Sequence, residues 1–244
     1  MRSNPMIKKG LEGNLVGTGE AMSIAGARNK SLAFISLTCI FALITFVALS
    51  IGSVPNFGLA NILGVSSGIV GFILLIAMVF KPHLSSTIGS FYAIFEGVFV
   101  GAITLRFSYF FDGVVPKAAL LTLLAIAFTL LLYKEKPDLA GKIRMGVIIL
   151  TMTICAASIM GLIFFFLGWG NVLMGNGLIS IGFSILTVIV AIANLMLDYD
   201  NIVVGARHGL PKYMESFFAV GLLVTVVWVY VEMLSLLAKL ASRE

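Results

Sequence analysis

Charged residues are scarce in this sequence. Only 11% of its 244 residues are charged and 60% are hydrophobic, whereas a soluble domain carries roughly 25% charged residues. Residues 31–80 and 146–197 contain no charge at all. Because each membrane-spanning helix needs ~20 apolar residues, each run predicts two helices joined by a neutral loop. Runs such as residues 72–80 lack the period-2 alternation of a membrane β-barrel, so we predict an all-α polytopic membrane protein.

The side chains of common catalytic and redox sites are also few. Cys39 and Cys155 fall inside predicted helices, where we expect buried apolar side chains rather than a disulfide. The only histidines, His83 and His208, fall in predicted loops, and the sequence contains no HExxH zinc motif. It also lacks a glycine-rich phosphate loop and a serine elbow. We therefore predict a protein that is not an enzyme and has no cofactor.

Seven apolar segments are long enough to span a bilayer. Turn residues such as Gly52, Pro82 and Pro211 separate several of them. Residues 1–30 predict a polar amino-terminal tail without a cleaved signal peptide, and residues 31–244 predict one seven-helix transmembrane domain. The predicted helices cover residues 32–51, 62–80, 86–107, 117–133, 145–167, 178 to at least 197, and 213–240.

The distribution of Lys and Arg predicts the orientation. With the amino terminus inside, twelve of the 16 basic residues fall on the inner side and four on the outer side. Because inner loops are enriched in basic residues, this bias favours a cytoplasmic amino terminus. The basic residues border apolar segments and form no stripe, so the expected partner is the lipid bilayer rather than nucleic acid.

Five acidic residues lie inside or at the edge of the predicted helices: Glu96, Asp198, Asp200, Glu215 and Glu232. No Lys or Arg occurs at mid-span to neutralise them. A charge at the bilayer centre costs about 2.5–3.5 kcal/mol, so such a group should face the protein interior or a water-filled cavity. Its partner is then another carboxyl group, a proton or a cation. This pattern is typical of an ion pathway or a pH-sensitive latch.

The five acidic residues favour different interpretations. Asp198 and Glu232 favour a functional role most strongly, whereas Glu96 fits either a pathway or a neutral carboxyl group hydrogen-bonded to a neighbouring helix. Asp200 lies ~200° from Asp198 around the helix and cannot share its face. Glu215 is interpreted as a membrane-edge residue within pairing distance of Lys212.

Gly97 and Gly101 form a GxxxG pattern on the third helix. Small residues at this spacing let helix backbones approach closely in lipid. We expect close packing within the chain, with a dimer seam as the alternative.

Three segments stand out: FYAIFEGVFVGAIT in the third helix, NLMLDYDNI in the sixth and VYVEMLSLL in the seventh. Together they resemble the Bax inhibitor-1 family, specifically its longer bacterial YccA-like branch. The resemblance implies six helices around a central seventh in the bacterial inner membrane. It also implies a pair of acidic residues that forms a pH-responsive latch on a calcium leak pathway.

The resemblance assigns the two latch positions. Asp198 and Ile202 match the family's D-x-x-x-I motif on helix 6, and Glu232 after Tyr230 stands where the family has the aspartate of Y-x-D. Glu replaces Asp there, and about ten extra residues separate the two positions compared with better-known members. Calcium is the expected transported ion, with possible contacts to Asp198 and Glu232, because hard cations prefer carboxylate and carbonyl oxygens.

Three functions remain open at this point. The leading hypothesis is a pH-sensitive calcium or cation leak channel that uses Asp198, Glu232 and Glu96. The second is a regulatory or interaction protein, for example of a membrane protease, that acts through the tail and inner loops with a membrane-protein partner. Proton-coupled transport would use the same carboxyl groups, but the sequence has no pair of broken helices in matching halves.

Overall fold

Seven apolar helices make up most of the structure. The computed structural model describes residues 20–51, 55–167, 175 and 177–243. Within these residues seven helices are long and apolar enough to cross a membrane and there is no β-strand, which confirms the all-α prediction. The helices are α1 (Ile24–Ser50), α2 (Phe57–Phe80), α3 (Ser85–Phe110), α4 (Val114–Glu135), α5 (Asp138–Phe166), α6 (Leu178–Arg207) and α7 (Met214–Ala241).

Several helices extend beyond the limits predicted from hydropathy. α1 begins at Ile24 rather than at residue 32, so residues 24–30 of the predicted tail are helical. α5 begins at Asp138, seven residues before the predicted start, and α6 continues to Arg207. Hydropathy marks only the part of a helix that lies in lipid, whereas polar and charged residues can continue the same backbone hydrogen bonds outside it. α6 therefore continues for nine residues beyond Asp198, and only a six-residue turn separates it from α7.

The helices pack into two compact units. The first contains the described residues up to Leu105 together with Asp198–Val224, and the second contains Arg106–Leu197 with Thr225–Glu244. Each unit therefore combines whole helices with parts of α3, α6 and α7. Asp198, Asp200, Glu215 and Glu96 belong to the first unit, and Glu232 belongs to the second.

In the first unit α1 and α3 pack with their backbones in close contact. A Cβ atom at Gly97 would lie 2.6 Å from the backbone oxygen of Thr38, and one at Gly101 would overlap Ala42. The hydroxyl of Thr38 donates a 3.0 Å hydrogen bond to the backbone oxygen of Ala93, between the two helices. The GxxxG pattern therefore packs within the chain, as expected.

In the second unit α5 packs against α6. Ala140 and Val147 form a buried apolar cluster with Met196 and Leu197. Asn194 adds a polar contact, because its side-chain amide donates a 2.8 Å hydrogen bond to the hydroxyl of Thr151. These contacts determine which face of α6 packs against α5.

Many large apolar side chains are exposed on the described helices. Large side chains such as Leu43, Phe72 and Met152 are 64–69% exposed within the chain, as expected where lipid is the solvent. Cys39 and Cys155 are free thiols, but both are exposed. The prediction that they are buried in the protein is therefore wrong: both lie on helices whose apolar side chains also face outwards, and lipid accommodates such side chains without a protein core.

Candidate functional site

Glu96 lies on α3 with its carboxylate turned towards α2. The side chain is partly buried, and the hydroxyl of Tyr92, four residues earlier on the same helix, donates a hydrogen bond to it. A Cβ atom at Gly71 of α2 would lie 3.7 Å from the Oε2 atom of Glu96. The absence of a side chain at Gly71 therefore leaves room beside this carboxylate. Its hydrogen bond comes from its own helix, whereas the sequence suggested a neighbouring one.

Asp198 and Asp200 lie in the last third of α6. Both side chains are partly buried. The Oδ2 atom of Asp198 is buried and accepts no hydrogen bond from the described residues, although the side chain takes part in other interactions. Ile202, the second residue of the helix 6 motif, is buried at 7% exposure. The α-helix continues unbroken through these positions, so Asp198 and Asp200 point to different sides of α6.

Glu232 lies well inside α7, nine residues before the helix ends at Ala241. The indole Nε1 of Trp228 donates a 3.3 Å hydrogen bond to its Oε1 atom. The carboxylate also interacts electrostatically with the ammonium group of Lys239. Hydropathy alone does not identify Lys239 as a partner of Glu232, because a lysine near a helix end normally extends to the membrane surface. The signal was present, since a spacing of seven residues returns to almost the same helix face.

Glu215 lies at the end of a spanning helix, but it is buried and its hydrogen bonds come from Ser23. It lies in the first turn of α7 and is only 5% exposed. Its Oε1 atom accepts hydrogen bonds from the backbone N–H and the hydroxyl of Ser23, at 2.9 and 3.1 Å. Lys212 forms its ion pair with Glu20 instead. Glu215 is therefore a buried anchor for the amino-terminal end of α1, and it interacts with Lys212 only electrostatically, without a direct ion pair.

The residues just before α1 join the turn between α6 and α7. Ala21 forms an antiparallel bridge with Pro211, and the amide of Met22 donates a 2.7 Å hydrogen bond to Leu210. We call residues 20–23 paired with residues 210–215 the N-terminal clasp. At its outer edge the Lys212 ammonium lowers the pKa of the Glu20 carboxyl group, and Glu20 in turn raises the pKa of Lys212. This exposed pair therefore stays charged from mildly acidic to mildly alkaline pH.

A resident metal site is not formed by the part of the chain that the structure describes. No group of three or more His, Cys, Asp or Glu side chains comes together there to hold a metal ion. A bound calcium ion takes 6–8 oxygen ligands.

Comparison with known proteins identifies the family. The family model described as Bax inhibitor 1 like matches residues 4–242. No curated protein and no solved structure matches the chain. The family match covers almost the whole sequence and agrees with the seven apolar helices, whereas the YccA-like branch stays a prediction. On this evidence the chain belongs to the Bax inhibitor 1 like family and is an integral membrane protein.

Proposed function

We propose that this protein is a pH-sensitive leak channel for calcium or a similar cation, with Asp198, Glu232 and Glu96 along the pathway. The observation that carries the proposal is that all three carboxylates lie within spanning helices and are partly buried rather than turned to lipid. Such placement is costly, so ionisable groups inside membrane helices usually mark ion pathways or proton relays. Family membership supports the same function.

Carboxyl groups also supply the proposed pH sensitivity. An ionised carboxylate attracts a cation, whereas a protonated one does not. Protons and calcium therefore compete for Asp198 and Glu232, and the rate of leak follows the protonation state of these groups. The proposed location is the bacterial inner membrane with the amino terminus in the cytoplasm.

Calcium flux into liposomes tests this function. We expect the purified protein to admit calcium at a rate that changes between pH 5.5 and 8. Asp198→Asn and Glu232→Gln each reduce the flux about tenfold, the effect of losing ~1.4 kcal/mol of cation attraction, and flatten its pH dependence. Glu135→Gln is the matched control, because Glu135 is an exposed acid at the end of α4. Unchanged flux and pH dependence in both site variants would remove these residues from the pathway.

The N-terminal clasp favours a second function, that of a regulatory or interaction protein. It joins the amino-terminal segment to the α6–α7 turn, so that Glu20 and Lys212 lie on one exposed polar surface. A membrane-protein partner, for example a protease, would then recognise both segments together. Deleting residues 1–19 leaves the clasp intact and removes only the tail. Loss of partner binding in this variant, in a protein that passes no calcium, would favour this second function over the channel.

A further inference from the structure

Lys239 lies in the last turn of α7, but its ammonium group turns back into the second unit. Its Nζ atom donates a 2.8 Å hydrogen bond to the hydroxyl of Ser184 and a 3.4 Å one to the backbone oxygen of Ser180, both on α6. A lysine near a helix end normally extends outwards, so that its charged group reaches the membrane surface. Here the charge is held in place by the protein.

The residues that receive this ammonium are buried. Ser180 is 0% exposed and Ser184 is 2% exposed. Thr187, one turn further along α6, is also buried at 1% exposure. Because these three positions follow the i, i+4, i+7 spacing of one helix face, α6 presents a polar stripe at this level. Lys239 binds to Ser180 and Ser184, the two residues of that stripe nearest the start of α6.

Glu232 and Trp228 lie on the same face of α7 as Lys239. Their spacings of seven and eleven residues from Lys239 return to within about 20° of its direction around the helix. Lys239 follows Glu232 by about 10 Å along the axis, at 1.5 Å per residue. The ammonium attracts the Glu232 carboxylate, so it is both a counter-charge for that group and a fixed positive charge on the way to it.

We propose that Lys239 is a tethered positive charge that limits the access of cations to Glu232 from the carboxyl-terminal end of α7. The inference rests on the proposed cation pathway and adds the residue that restricts it. A cation that approaches Glu232 along this face must pass the ammonium, which repels it. Ser184 and Ser180 keep the ammonium in that position.

Binding of terbium, a trivalent stand-in for calcium, tests the inference without requiring flux. Trp228 contacts Glu232 and can sensitise terbium luminescence, and Trp169, the second tryptophan in the sequence, is replaced by Phe in every variant. We expect Lys239→Gln to tighten terbium binding at least about tenfold, the effect on a trivalent ion of removing a unit charge ~10 Å away even when it is screened as in water, at a dielectric constant of ~80. Lys239→Arg retains the positive charge, so this variant should bind terbium with the same affinity as the protein that has Lys239. Glu232→Gln should abolish the signal.

Calcium flux into liposomes gives the second measurement. Lys239→Gln should raise the flux several-fold, whereas Ser184→Ala, which removes a tether but no charge, should raise it less. Arg243→Gln is the matched control, since it removes an exposed positive charge beyond the end of α7. Thermal unfolding of each variant shows whether the protein is still folded.

The outcomes separate the two proposals. If no variant passes calcium but Lys239→Gln still tightens terbium binding, the channel proposal fails and the role of Lys239 stands. If flux depends on Glu232 but neither terbium affinity nor flux changes in Lys239→Gln, the role of Lys239 is overturned and the channel stands. A terbium signal that is insensitive to Glu232→Gln would also overturn it, because the cation would then bind elsewhere.

Discussion

Glu215 shows how the role of one residue depends on what approaches it in space. Its carboxylate accepts two hydrogen bonds from Ser23, and the hydroxyl of Ser23 accepts one from the amide of Gly26 at 2.9 Å. The first amides of a helix have no partner within the helix, and a negative charge near them is stabilising. Glu215 therefore stabilises the start of α1 while it also lies in the first turn of α7.

Gly26 and Glu215 should be strongly coupled in stability. A Cβ atom at Gly26 would overlap the Glu215 carboxylate, so Gly26→Ala should lower the free energy of unfolding by about 1–3 kcal/mol through overpacking. Glu215→Ala should cost a similar ~1–3 kcal/mol, because the amide and hydroxyl of Ser23 lose their buried acceptor. In the double variant the added methyl group has space, so the second substitution should cost far less than it does alone. Unfolding in detergent measures all four proteins.

Additive losses would contradict this coupling. Independent sites add to within about 0.3–0.5 kcal/mol. A double variant that loses the full sum would therefore mean that Gly26 and Glu215 do not share the space in which the structure places them.

At the scale of helices, small residues decide how closely α1 and α3 approach. Gly97 faces the backbone oxygen of Thr38 at a distance that leaves no room for a methyl group. Because backbone atoms cannot rotate away as a flexible side chain does, Gly97→Ala should lower stability by about 1–3 kcal/mol. Gly182→Ala on α6 is the matched control, since a Cβ atom there meets open space. Thermal unfolding in the same detergent compares them, and equal unfolding temperatures would contradict the observed packing.

Helix ends were harder to predict than helix centres. The apolar centres of all seven helices follow from hydropathy alone, since each is long enough to cross the bilayer. The starts of α1 and α5 depend instead on local hydrogen bonds and charge, such as the Ser23 cap and the acidic Asp138 in the first turn of α5. These contributions are each about 1 kcal/mol and leave little trace in a hydropathy average.

At the scale of the whole molecule, seven spans predict that the two chain ends lie on opposite sides of the membrane. The excess of Lys and Arg predicts the amino terminus inside. With Cys39 and Cys155 replaced by Ala, we expect a membrane-impermeant maleimide to label Ser242→Cys in intact cells. Ser3→Cys should react only after the cells are lysed. Labelling of both positions from the same side would mean that one of the seven helices does not span.

The sequence by itself determined that lipid surrounds most of this protein, that its spanning segments are α-helices, and which family it belongs to. Long uncharged runs can be stable only in lipid, and lipid permits helices whose backbone groups pair within one segment. It also identified the acidic residues, because a carboxyl group among apolar neighbours is conspicuous in one dimension. The tertiary structure decided which groups interact with these carboxylates. Ser23 donates hydrogen bonds to Glu215, Tyr92 donates one to Glu96, and Glu232 interacts with Trp228 and Lys239. Such partners depend on how helices rotate and how closely they pack, and Glu215 finds its partner 192 residues away in the chain.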